Sequence, residues 1–269
     1  MLRKAPDFAS IFLARPKLLA EEGDIFMITD IQTLFDAGAH FALPRARRHP
    51  TATPYLFGTK DRTDIFDLEE TEKRFAAAQA FARSMAGKQM LFVGGKHESV
   101  EIVKAAAIRA GAPYVAGRWI GGTLTNFKNI RKRIDRLQKL MEERERGELE
   151  KYTKRERLLI DREIEELLMR FGGLVSMTEL PGALFVVDTR HEHTAVAEAN
   201  QLHIPVVGLA SSDCDFSLVQ YPIPANDTSV RSVALVCEGI AESFLEGKRL
   251  PAQAGVPQKE GDITQARKI

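Results

Sequence analysis

The sequence predicts an α/β fold in three layers, a parallel sheet covered by helices on both faces, carrying an inserted antiparallel helical hairpin (coiled coil). Short apolar runs at Gln89–Val93, Ala183–Val187 and Ile204–Leu209 alternate with helical patterns at Glu98–Ala110 and Thr194–Leu202. Strands that are apolar along their whole length and separated by helices belong to a parallel sheet buried on both sides. Between the two halves lie two long, charge-rich helical patterns, Leu124–Arg146 and Thr153–Phe171, separated by a turn at Gly147. Their apolar residues recur at helical spacing (Ile134, Leu137, Met141, then Leu159, Ile164, Leu167, Leu168), which fits two helices packed back to back.

In order along the chain, residues 1–27 read as an N-terminal arm. There Arg3, Lys4, Arg15 and Lys17 mix with Asp7, Glu21, Glu22 and Asp24, and Ile11–Leu13 is too short for the apolar core of a signal peptide. Residues 28–123 form the first part of the α/β domain. Thr29 or Asp30 caps a short helix with Ile31, Leu34 and Phe35 inward, and Gly38 ends it. The next stretch, punctuated by Pro44, Pro50 and Pro54, is denied a helix and reads as an extended loop. Tyr55–Phe57 and Asp64–Phe66 read as short strands, and Asp67 with Glu70 as a capping box for a helix to about Ala86. Tyr114–Ala116 adds a short strand. Residues 124–171 are the hairpin and 172–248 the second part of the α/β domain, closed by a helix over Asp227–Glu246. Residues 249–269 read as a polar tail.

The 269 residues, 44% of them hydrophobic, suffice for a full core, and no apolar run is long enough to cross a bilayer. Two cysteines, Cys214 and Cys237, are too few for a disulfide scaffold and fit a reducing, cytoplasmic setting. Net charge is only +1, but the charges are segregated. No acid occurs from Ala37 to Thr59, where Arg45, Arg47, Arg48 and His49 crowd together. A second basic stretch runs from Arg118 through Trp119, Asn126, Lys128, Arg131, Lys132 and Arg133 to Arg136. Its Gly121–Gly122 turn, opening a helix, offers backbone N–H groups and guanidinium groups together, the ingredients of a phosphate-binding surface. Nucleic acid is therefore the expected ligand. For Trp119 two roles stay open, stacking on a base and anchoring the core.

Enzymatic alternatives find less support. Gly94-Gly95-Lys96 follows a strand and opens a helix, yet it lacks the spacing of a phosphate loop, and a tight turn needing glycine explains it equally well. Asp188, His191, His193, Asp213, Cys214 and Asp215 have the chemistry for zinc but not the helical His-Glu-x-x-His spacing, because Ala195 occupies the second histidine's place. No nucleophile elbow is present. An α/β protein binding a sugar phosphate or nucleotide at the sheet edge is the rival reading. A scaffold dimerising through the hairpin is another, but it leaves the arginines beside Trp119 unexplained.

Residues 118–134, R-W-I-G-G-T-L-T-N-F-K-N-I-R-K-R-I, resemble the signature of the bacterial small-ribosomal-subunit protein two family. L-F-V-G-G-K (91–96), A-L-F-V-V-D (183–188), H-I-P-V-V-G (203–208) and Y-P-I-P-A-N-D (221–227) resemble its other blocks in order, over about residues 28–248. The sequence departs from the family pattern at Ala42-Leu43, at Arg48–Thr51 and at Ser211. The resemblance implies a flavodoxin-like sheet and a structural, non-catalytic role on the ribosome. It implies no cofactor, no metal, no membrane and no homo-oligomer. The implied partners are small-subunit ribosomal RNA and neighbouring ribosomal proteins, including the large messenger-binding one. The RNA-contacting set is then Arg118, Lys128, Arg131, Lys132 and Arg133, supported by Arg45, Arg47, Arg48, His49, Lys96, Trp119 and Asn126.

Overall fold

A computed structural model describes residues 30–85 and 87–249. Among these residues the strands form two sheets. The larger has five parallel strands, β4 (Met90–Gly94), β5 (Tyr114–Ala116), β6 (Ala183–Val187), β7 (Val206–Ala210) and β8 (Tyr221–Pro224), in the spatial order β5-β4-β6-β7-β8. Taken in chain order that is 2-1-3-4-5, the flavodoxin-like arrangement, with its switch point between β4 and β6. A small antiparallel sheet, β1 (Phe41–Pro44), β2 (Leu56–Lys60) and β3 (Thr63–Phe66), stands beside it in the order β1-β3-β2.

Every residue of β4, β6 and β7 is buried, as continuous apolar strands require. One face of the sheet packs against α2 (Leu68–Ser84), α3 (Val100–Ala110) and α7 (Val230–Arg249), through Phe75, Ala78, Val103, Ala107, Val236 and Phe244. The other face receives α6 (His193–Gln201), through Ala195, Val196 and Ala199. The same cluster takes in Ile130 and Ile134 of α4 (Phe127–Glu145) and Phe171 of α5 (Lys154–Phe171). Farther out, α4 and α5 pack on one another through Leu137, Leu140 and Ile164, and Arg136 Nε donates to Glu163 Oε1 at 3.3 Å. A reciprocal Thr153–Glu156 capping box starts α5. No helix among the described residues is long and apolar enough to cross a membrane.

Several elements differ from expectation. The proline-rich loop holds strand β1 and two 3-10 turns, Arg45–Arg47 and Pro50–Tyr55, because proline at the start of a turn lacks only an N–H that would be unbonded anyway. Tyr221–Pro224 is a strand despite two prolines, an arrangement that only a sheet edge tolerates. Asp30 holds the N-cap position of α1 (Ile31–Asp36) without a side-chain bond, and Asp67 caps α2 by accepting from Glu69 N–H. The final helix begins at Val230 rather than Asp227, whose carboxylate is drawn inward. The expected arm and tail lie outside the described residues, except for Arg249, which ends α7.

Candidate nucleic-acid interface

The turn from Gly117 to Asn126 is folded around one side chain. Glu198, on the inward face of α6 and only 7% exposed, accepts N–H bonds from Gly122 (2.8 Å), Leu124 (3.0 Å) and Thr125 (3.1 Å). Trp119 Nε1–H (3.1 Å) and the Thr125 hydroxyl (3.2 Å) complete the set. Burial alone would push the Glu198 carboxyl up, but these donors outweigh it and hold it below the usual carboxylate range. Gly122, at φ +88°, supplies the left-handed residue that aims the amides inward. The backbone nest expected to meet phosphate is therefore already filled by the chain's own carboxylate. Trp119 is buried within the cluster of Leu124 and Ile130, so it anchors the core and is no stacking platform.

The switch-point crevice is closed in the same way. Gly95 N–H donates to Glu192 Oε1 at 3.1 Å. A Cβ on Gly95 would lie 2.4 Å from Gly117 O and 2.5 Å from Glu192 Oε1, so glycine is needed here for close approach of two turns, not for a phosphate. Lys96 reaches across the crevice to Asp188 (3.3 Å) and Asp227 (3.2 Å), which makes it an internal counter-ion. Burial, then the neighbouring Asp188 charge, pushes the Asp227 carboxyl up to about 6, against the pull of Lys96. Among the described residues no three His, Cys, Asp or Glu side chains converge as a metal site. Cys214 lies 3.9 Å from Asp188 Oδ1, and burial pushes its thiol up to about 12, far from a reactive thiolate.

The expected basic residues divide into two classes. Arg48 is turned inward and forms a two-pronged pair with the fully buried Asp64, which that bond holds well below the usual carboxylate range. His49 Nδ1 faces Thr51 Oγ1 at 2.7 Å and caps the second 3-10 turn, while its N–H donates to Ser212 O. Arg131 donates to Val175 O (3.3 Å) and Met177 O (3.0 Å) and pairs with Asp135, tying α4 to the segment after α5. In these three, and in Lys96, the side chain is engaged within the fold. Asn126 is exposed and accepts from Asn129.

The other class faces solvent. Arg45, Arg47, Arg118, Lys128, Lys132 and Arg133 are exposed, and their side chains carry no hydrogen bond or ion pair among the described residues. They occupy two places. Arg45 and Arg47 stand on the loop that bonds to Ser212 at the end of β7, whereas Arg118 follows β5 and leads toward α4. Three strand spacings, about 14 Å, separate the ends of β5 and β7. Between them lie Glu192, Asp188 and the Arg190–Asp213 pair. Sequence reading missed Glu192 and Glu198 because each bonds to residues more than 70 positions away. The one available signal was an acid, Glu198, among the apolar positions of α6.

Comparison with known proteins agrees with this fold. The family model described as Ribosomal protein S2 matches residues 34–247. The small ribosomal subunit protein uS2 of Coprothermobacter proteolyticus is 39% identical over 244 residues, covering 90% of each chain. That of Roseiflexus sp. is 43% identical over 82% of this chain and 85% of its own, and that of Campylobacter concisus 40% identical over 88% and 90%. With its 2-1-3-4-5 sheet, its R-W-I-G-G-T-L-T-N turn and a match over most of its length, the chain belongs to the ribosomal protein S2 family.

Proposed function

We propose that this chain is a structural constituent of the small ribosomal subunit, binding ribosomal RNA and helping to seat neighbouring proteins, with no catalytic role. Family membership supports the ribosomal assignment. One structural observation favours it over a small-ligand protein: the crevice at the sheet's switch point is crossed by the chain's own side chains, Glu192 to Gly95 and Lys96 to Asp188 and Asp227. The exposed cations, Arg45, Arg47, Arg118, Lys128, Lys132 and Arg133, are then the RNA-facing set. Side-chain cations that point into solvent position a protein on phosphates and shape more than on sequence.

In this reading residues 124–171 are an inserted antiparallel hairpin arm on the α/β body formed by residues 28–123 and 172–248. Its exposed Leu158, Leu159 and Met169 suit contact with a neighbouring protein, including the large messenger-binding one. The chain acts as one copy per subunit, in the cytoplasm. Sedimentation of a lysate on sucrose gradients tests this: the chain co-migrates with small subunits at low salt and is loosened at high salt. A free peak under gentle conditions refutes a structural role.

A further inference from the structure

Beside Arg118 lies a groove of about 220 Å³, between α3, the outer edge of β5 and the end of α5. It is lined by Glu101 and Lys104 of α3, residues 114–118, and residues 168–170 with Gly172 and Gly173. Three bases stand there against one acid, Glu101. Arg170 is already paired with Glu166 at 2.6 Å. The side chains of Lys104 and Arg118 carry no hydrogen bond or ion pair among the described residues, so both charges are open to the groove.

The backbone is open in the same place. β5 is an edge strand of its sheet. Phe92 N–H donates to Pro113 O and Gly117 N–H to Gly94 O, so the alternation of the strand turns the backbone groups of Tyr114 and Ala116 away from β4. At Tyr114 the segment after α5 closes that edge, since a Cβ on Gly173 would stand 2.2 Å from Tyr114 O. Two residues on, no backbone bond from another segment reaches Ala116. Gly117 follows at φ +132°, and a Cβ there would meet nothing within 4 Å, which leaves the main chain bare for close approach. An outward N–H between a lysine and an arginine is a donor set for phosphate. A partner's β-strand fits less well, because an edge with one open residue cannot carry a ladder. We propose that this groove seats a phosphate of the ribosomal RNA backbone, held by Lys104 Nζ, the Arg118 guanidinium and the Ala116 N–H. The proposal rests on the RNA-binding reading above. It adds Lys104, which the set expected from sequence omits, and carries the RNA face from the Gly117 turn onto α3.

Small subunits carrying the full chain, thiolated on their lysines with iminothiolane and irradiated with ultraviolet light, test this through peptide–nucleotide adducts read by mass spectrometry. The expected result is an RNA adduct on Lys104 at a yield comparable with that of Lys132. Lys73 of α2, a helix packed on β8 at the opposite sheet edge, sets the background. In filter binding of the full chain to small-subunit ribosomal RNA, Lys104→Gln reduces the salt slope by about one, Lys104→Arg keeps it, and Glu101→Gln strengthens binding. The adduct measurement uses the unaltered chain, so it stands whatever a variant does to folding. An adduct on Lys132 without one on Lys104, or an unchanged slope in Lys104→Gln, overturns the groove and leaves the RNA face standing. Adducts on none of Lys104, Lys128 and Lys132 overturn both. Amine coupling of Lys104 to a neighbouring protein in place of RNA assigns the groove to that protein and sinks the proposal.

Discussion

Glu198 brings one carboxylate to five donors, three of them backbone amides of a single turn. Removing it leaves these donors, the buried Leu124 N–H and Trp119 Nε1–H among them, without their acceptor. Glu198→Ala is expected to cost about 2–4 kcal/mol, read as a lowered urea midpoint at unchanged slope. Its folded pKa lies below the ordinary value of 4.5. Its contribution is therefore complete above pH 4.5 and is lost as pH falls through the folded value. Asp227 has the opposite sign. Its folded pKa of about 6 exceeds the usual 3.8, so the unfolded chain releases that proton first and stability falls between pH 3.8 and 6. Asp227→Asn should flatten this decline in a pH series of unfolding midpoints. Arg48 and Arg47 make a paired test, because adjacent arginines do different work. Arg48→Ala leaves the buried Asp64 carboxylate alone and costs about 3–5 kcal/mol, whereas Arg47→Ala leaves thermal stability unchanged.

At the scale of elements, α6 organises the sheet edge. Glu192 at its N-cap takes the Gly95 amide and Glu198 in its interior takes the Gly122–Thr125 turn, so this short helix fixes the loops after β4 and β5 together. Gly95→Ala would wedge those loops apart, at about 1–3 kcal/mol, with hydrogen exchange rising in residues 117–125. On α4, Lys128 and Lys132 lie one turn apart on the solvent side, while Arg131 ties the helix to Val175 and Met177. Lys128→Glu with Lys132→Glu should leave stability intact and flatten the salt dependence of RNA association. Arg131→Glu should instead lower stability. Unfolding and filter-binding measurements on the two variants separate the roles, and a double reversal of Arg131 and Arg133 would mix them.

For the whole molecule, the near-zero net charge of +1 conceals a division between internal and external charge. Lys96, Arg48 and Arg131 are neutralised inside, and six expected cations remain outside. If all six meet phosphates, the logarithm of the RNA association constant falls against the logarithm of salt with a slope of about −4 to −5. A slope near zero would move RNA contact to another face. The two cationic places flank an acidic centre, so an RNA following both has to bridge about 14 Å of sheet edge.

Local pattern sufficed for much of this protein. Continuous apolar runs gave away the buried strands, helical spacing identified α2, α3, α4 and α5, and the motif blocks in order pointed to the family, because each of these signals is contained in a few consecutive residues. One edge strand escaped, since Tyr221–Pro224 looks like a loop until β7 lies beside it. The basic character of residues 45–49 and 118–133 was legible as composition, but not its partition. Whether an arginine faces solvent or a buried carboxylate depends on partners 16 to 79 positions distant, as Arg48–Asp64 and Trp119–Glu198 show. Likewise a glycine turn at a helix start announces free N–H groups, and only tertiary packing decides whether a ligand or the chain's own glutamate takes them. The sequence by itself determined which segments bury and in what order. The tertiary structure decided which polar groups remain for a partner, because satisfying buried donors and charges is settled by what the fold brings alongside them.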